Sequence, residues 1–205
     1  MRSCPLLRHA TLCYTCRWNR NSGLDPERSA THMKGGIRMK AIVYLSNTGF
    51  TKKYAELLAQ KTGYPVYALQ EARRRLAGDT EIIYLGWVCA GAIKGYGKAA
   101  RLSRIAAVCA VGMGGPDSDQ LPALIKRHGL DAGHAFYLQG GFDMSRLRGI
   151  YRLMMKMMAK ATVPQLEKKQ DKTPDEQKSL ELLKNGGDCV RPENLDPVLA
   201  LLQAT

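Results

Sequence analysis

The stretch YLSNTGFTKKYAELLA (residues 44–59) passes from an apolar segment into a helical one through Ser46-Asn47-Thr48-Gly49-Phe50-Thr51. KAIVYLS (40–46) reads as a short strand, and TKKYAELLAQKTG (51–63) places Tyr54, Leu57 and Leu58 at helical spacing before Gly63 ends the run. A strand that turns directly into a helix aims the first helical N–H groups, and the positive end of the helix dipole, at whatever lies above the loop. Ser46, Thr48 and Thr51 can donate hydroxyl hydrogen bonds there, and Gly49 lets the backbone come close. The loop therefore suits a phosphate without a cationic side chain inside it. A triphosphate loop would read GxxxxGK[ST] and a dinucleotide fingerprint GxGxxG; residues 46–51 match neither. The plain alternative is an N-cap, in which Ser46 or Thr48 only satisfies helix N–H groups.

Outward from this loop, PVYAL (65–69), EIIYLGW (81–87), IAAVCAVGM (105–113) and GHAFYLQGG (133–141) read as four more strands. Helical material falls at about 96–103 and 117–129, while QEARRRLAGD after the second strand is simply polar. The near-continuous apolar runs are those of strands covered on both faces. Five strands alternating with helices predict an α/β domain with a parallel sheet, since parallel strands need crossovers and the crossovers become the covering layers. Ligands of such sheets bind at the carboxyl ends of the strands. The loops leaving those ends are 46–51, 87–95 and 113–118.

With Ser46, Thr48, Gly49 and Thr51 in place, the loop resembles the [ST]-x-T-G-x-T phosphate loop of the flavodoxins, Asn47 and Phe50 filling its variable positions. The resemblance implies a three-layer fold with a five-stranded parallel sheet of order 2-1-3-4-5 and helices on both faces. It also implies FMN as cofactor, with its phosphate on residues 46–51. Its isoalloxazine ring would lie between Trp87-Val88-Cys89-Ala90-Gly91 and Gly112-Met113-Gly114-Gly115-Pro116, carried over by position. Across residues 39–203 the chain is most similar to the flavodoxin-domain group that includes the menaquinone-dependent protoporphyrinogen dehydrogenases, through MKAIVYLSNTGFTKKYAELLA, GWVCAGAIKG and YLQGGFDMSRLRGIYRLMMKMMAK. The implied roles are those of an electron carrier or oxidoreductase component working with a redox partner protein, or of an enzyme delivering electrons to a quinone. A flavodoxin-fold module that binds a phosphate-bearing ligand or a protein without redox turnover is the alternative from another class. Small flavodoxin carriers are acidic and hold the ring between aromatic side chains. This chain is basic, and residues 112–118 contain no aromatic. With Lys94 and glycine-rich N–H groups near the ring, the reduced flavin anion would be less disfavoured than in those carriers.

The formal charge of +13 on 205 residues attracts anions in general. It is diffuse and accompanied by no recognition motif, so nucleic acid is not expected as a partner. No apolar run is long enough to suggest a membrane-spanning helix, and the expected compartment is the cytoplasm, with peripheral membrane contact as an option. Residues 1–38 carry seven basic and two acidic side chains and no periodicity. Lys34-Gly35-Gly36 can be encoded by a ribosome-binding sequence just before Met39. The expectation is that residues 1–38 are a disordered or non-native leader, that Met39 is the true start, and that +8 remains beyond it. Cys13 and Cys16, with Cys4 and His9, are potential zinc ligands or a redox pair, but belong to that leader. The scattered cysteines read as free thiols, and Cys109 as buried in a strand.

The flavodoxin-like domain is expected over 39–161 and a helical extension packed on it over 162–205. MSRLRGIYRLMMKMMAKA (144–161) puts Leu147, Ile150, Tyr151, Met154 and Met158 on one helical face, with Arg146, Arg148, Arg152, Lys156 and Lys160 largely on the others. As the fifth helix of a doubly covered sheet it would turn that stripe to the core; the same pattern suits an anionic membrane or a partner. Thr173-Pro174-Asp175-Glu176 is a capping-box start for a helix ending at Gly186, EKKQDK (167–172) a solvated linker, and 192–203 a last short helix. His128 and His134 show no evident carboxylate partner, so any catalysis would rest on the flavin.

Overall fold

The computed structural model describes residues 40–204 other than 78 and 116–118. The proposed leader, Met39, the Cys13–Cys16 pair and Pro116 lie outside the described residues. In chain order the elements are β1 (Lys40–Leu45), α1 (Phe50–Thr62), β2 (Val66–Ala68), α2 (Leu69–Arg75), β3 (Glu81–Cys89), β4 (Ala92–Ile93), α3 (Tyr96–Leu102), β5 (Ile105–Gly112), α4 (Gln120–His128), β6 (Ala135–Gln139), β7 (Gly141–Phe142), α5 (Gly149–Lys168), α6 (Pro174–Asn185), β8 (Gly187–Asp188) and α7 (Asp196–Gln203). Short 3-10 turns at Ala132–His134 and Pro192–Leu195 lead into β6 and α7.

The main sheet runs β2-β1-β3-β5-β6, all parallel. Its five parallel strands therefore take the expected order 2-1-3-4-5. Two features add to the expectation: β4 folds back antiparallel on the end of β3, and β7 pairs β8 in a separate two-stranded ribbon.

Alternation along the strands sorts the core into two layers. Ile42, Ile83, Leu85, Ala107, Cys109, Val111 and Leu138 face α1, through Tyr54, Ala55 and Leu58, and the C-terminal segment, through Leu195 and Val198. Ala41, Val43, Ile82, Tyr84, Val108 and Ala110 face Leu69 and Ala72 of α2, Ala99 of α3 and Leu124 of α4. The stretch read as merely polar after β2 is thus a helix, because Leu69 and Ala72 fall one turn apart and bury ahead of the exposed Arg73, Arg74 and Arg75. Cys109 is free and fully buried as expected, and burial pushes its thiol up to about 12, which leaves it inert.

One helix departs from the sequence reading. The helical slot beside α1 belongs to α7, and no residue of α5 is buried. Of the five residues assigned to a core stripe, Leu147 lies before α5 and is buried, Tyr151 is half-buried, and Ile150, Met154 and Met158 are exposed. Helix α5 packs instead on α6, where Tyr151 and Met155 join Leu182, Leu183, Phe142 and Met113 in a small satellite core near the carboxyl edge of the sheet. Helix α6 starts as expected. The Thr173 hydroxyl accepts from Glu176 N–H at 3.2 Å, and the Glu176 carboxylate accepts from Thr173 N–H at 2.9 Å.

Candidate functional site

Three segments reach the carboxyl edge of the sheet at one level, because Leu45 pairs with Gly86, Trp87 with Val111 and Gly112 with Gln139. The first is the opening loop. Gly49 is the N-cap of α1 with φ +100°, a left-handed conformation that favours glycine, and its N–H donates to Ser46 Oγ at 3.0 Å. Ser46 thus closes the turn, and no side chain among the described residues caps the helix start. The first turn of α1 also holds no acidic residue. Phe50 and Thr51 belong to the helix itself and are buried, Phe50 against Gly140 and Gly141; a Cβ at Gly141 would come within 2.6 Å of its ring. Asn47 Nδ2 is buried without a hydrogen-bond partner among the described residues. An uncapped thirteen-residue helix, its dipole and an unpaired amide donor together favour an anion with several acceptor oxygens.

A cation also stands at the loop, brought from far along the chain. Arg146 Nη1 donates to the Thr48 carbonyl at 3.3 Å, and the same nitrogen lies 3.4 Å from where a Cβ at Gly49 would be. Its Nε pairs with Asp143 at 3.0 Å. Hydrogen bonds from the Ser145 hydroxyl and the Ser145 N–H, together with Arg146, hold the Asp143 carboxyl below its ordinary range. Sequence reasoning took the loop for a neutral cradle and missed Arg146, which sits 98 residues from Thr48. Its position depends on how the chain returns after β6, which no local pattern announces. An open depression of about 500 Å³ beside it is lined by Phe50, Lys53, Asp143, Arg146 and Asp188, where Lys53 pairs with Asp188.

The second segment is not the loop expected over 87–95. Trp87, Val88 and Cys89 continue β3, Ala90 and Gly91 form a two-residue hairpin turn with φ of 51° and 66°, and β4 returns, Val88 pairing with Ile93. Left-handed backbone at both central residues is what a type I′ turn requires, and it matches the twist of the strands it joins. The turn leans on α4: Arg127 Nη1 donates to the carbonyls of Ala90 and Gly91 at 3.0 and 3.2 Å. Lys94 takes part through its backbone, its N–H donating to the Trp87 carbonyl at 3.0 Å and its carbonyl accepting from Tyr84. Trp87 itself meets Tyr151 of α5 edge to face, the ring centroids 5.0 Å apart. An aromatic partner thus reaches this edge from the C-terminal third.

In the third segment Met113 packs into the satellite core, and the buried Gly114 donates its N–H to Tyr137 Oη at 3.1 Å. Gly115 is buried as well. Tyr137 lies so close to Gly112 that a Cβ there would collide with its hydroxyl. Trp87 and Met113 therefore lie at the same edge as Ser46, whereas Ala90 and Gly91 are tied to α4.

The histidines need one correction. His134 does have a carboxylate partner, Asp131, at 2.9 Å and three residues away, a helical-turn spacing that the strand assigned to 133–141 concealed. His128 Nε2 accepts from Ile93 N–H at 3.0 Å, and its pKa is lowered first by burial and then by Arg127. It stays neutral and acts as a tether for β4.

No family model matches the chain, and no curated protein matches it.

Proposed function

We propose that this protein is a flavodoxin-like FMN protein that passes electrons, as a redox carrier or as a component of an oxidoreductase. The observation that carries the reading is the start of α1: free of acid and, among the described residues, uncapped and with Asn47 Nδ2 buried and unpaired, with Arg146 against the Thr48 carbonyl, at the carboxyl edge of a sheet of order 2-1-3-4-5. Those groups fit a terminal phosphate bearing two charges. The flavin, when bound, would supply the electron chemistry. Ser46, Thr48, Gly49 and Thr51 would hold the phosphate, with Asn47 giving it an otherwise missing partner. Arg146 would swing from the Thr48 carbonyl to an oxygen of the anion, a stronger charge-assisted bond. Trp87 and Met113 would offer apolar contact to the ring.

The test is reconstitution of the purified full chain with FMN, followed by visible spectroscopy and titration. The expected outcome is stoichiometric binding, weakened about tenfold or more by Arg146→Ala, in line with the roughly 1.5–3 kcal/mol of a hydrogen bond to a charged group. No flavin bands after reconstitution would remove the redox reading, and retention of inorganic phosphate alone would favour the non-redox binding module. In this basic setting the hydroquinone couple is expected to lie at a less negative potential than in the acidic carriers. A redox titration giving a couple as low as theirs would contradict that expectation.

A further inference from the structure

Helix α5 is apolar on two sides, and among the described residues only the side on α6 has a partner. Tyr151, Met155, Ala159, Thr162, Val163 and Leu166 are half-buried along one side, where the helix meets α6. On the opposite side Ile150, Leu153, Met154, Met157 and Met158 are exposed, Ile150 by 75%, Met157 by 66% and Leu153 by 60%. At 100° per residue these five, with Ala161, fall within a single stripe; Lys160 and Lys156 form a cationic ridge along one shoulder of it, and Arg152 continues that ridge toward the α6 side. Residues 149–166 contain no acidic side chain, and Arg146 and Arg148 precede them. A soluble monomer rarely leaves so many large apolar side chains together in water.

We propose that this stripe docks the protein on an anionic lipid surface, α5 lying in the plane of the bilayer interface. Charge decides against a second copy, which would bring the same cationic ridge to the contact. It requires an anionic occupant. Shape and composition then favour a bilayer over an acidic protein. The stripe is convex, spans residues 150–161 of α5, roughly 17 Å, and is made of unbranched methionines and aliphatics. It contains none of the Trp, Tyr or Arg anchors that concentrate binding energy in protein interfaces. Lysines on the shoulder can bury their stems and keep their ammonium groups among headgroups. No described helix is long and apolar enough to cross a membrane, so the attachment is interfacial. The inference does not depend on what the loop at residues 46–51 binds.

Sedimentation of the full chain with vesicles tests it. Binding is expected with phosphatidylcholine containing about a third phosphatidylglycerol, and much less with phosphatidylcholine alone or in high salt. The double variant Leu153→Asp/Met157→Asp, both at exposed positions, should abolish binding with an unchanged thermal midpoint. Lys156→Glu/Lys160→Glu should weaken it by at least about fivefold per site, the equivalent of about 1 kcal/mol for each juxtamembrane cation. The proposal is overturned if the wild-type chain binds no vesicles, if the aspartate variant binds as well as wild type, or if neutral and anionic vesicles bind alike. A salt-resistant dimer that the same variant dissolves, without vesicle binding, would assign the stripe to a second copy instead.

Discussion

Helices α5 and α7 make an instructive pair. Both are apolar on a helical period, both lie in the C-terminal third, and α5 is more than twice as long, yet the sheet is covered by α7 while α5 buries no residue. Length does not choose which helix reaches a core slot; the helix in the slot is the shorter and more apolar of the two and carries no cation. Helix α7, DPVLALLQ, has no basic residue and turns its apolar face to the sheet, whereas α5 carries Arg152, Lys156 and Lys160 along one side. Entry into the slot is also fixed from outside α7. The buried Tyr54 hydroxyl donates to the Gln139 carbonyl at 2.5 Å and accepts from Asn194 Nδ2 at 2.6 Å and Arg191 N–H at 3.4 Å. That bracket ties the approach to α7 to both α1 and β6.

The largest expected effect sets the two helices directly against each other. Leu195, fully buried just before α7, should cost about 2–5 kcal/mol on truncation to Ala, as a core Leu does. Leu153→Ala in α5 should stay within about 0.5 kcal/mol, as exposed positions do. Urea unfolding of the two variants measures both. Equal losses would mean that α5 is part of the cooperative core and would erase the distinction.

A smaller effect sharpens it by removing the bracket alone. Tyr54→Phe keeps the ring but leaves the Gln139 carbonyl and the Asn194 amide without their partner, so a loss of about 1–3 kcal/mol is expected. Hydrogen exchange should show opening concentrated in residues 191–203 with α5 unaffected. Uniform acceleration along the chain would mean that α7 is held by its apolar contacts and not by the hydroxyl.

This pairing also explains what was legible in the sequence. The sheet was legible because β-branched and apolar runs with crossovers between them leave few topologies, and the Thr173-to-Glu176 capping box because its partners are three residues apart. The turn between β1 and α1 was legible for the same local reason, since Ser46 and Gly49 close it between themselves. What escaped depends on contacts between distant residues: Arg146 at Thr48, Tyr151 against Trp87, and α7 in the slot assigned to α5. A periodic stripe says that a helix has an apolar face and is silent on what that face meets. Positions 147, 150, 151, 154 and 158 were read as one helical face, but Leu147 precedes α5 and the helix divides the other four between α6 and solvent. The hairpin at 87–91 escaped because Ala90 occupies a left-handed position that composition alone would assign to Gly or Asn.

The smallest effect is a pH dependence that reaches α7 by the same route. Asp188 of β8 links α1 to the segment before α7: Lys53 pairs with its carboxylate, and its Oδ1 accepts from Val190 N–H at 3.0 Å. Burial works to raise its pKa, but Lys53, the Val190 N–H and Arg146 outweigh it, and the folded value lies below the ordinary one. A carboxyl with a depressed folded pKa contributes stability that is complete above its unfolded pKa, near 4, and is lost as pH falls through the lower folded value. Both side chains are over two-fifths exposed, so solvent screening keeps the contribution under about 1 kcal/mol. Asp188→Asn should therefore lower the thermal midpoint slightly at pH 7, with the gap to wild type closing below pH 4. A gap that persists in acid would assign the effect to the Val190 hydrogen bond or to local packing, and would detach the approach to α7 from the charge on α1.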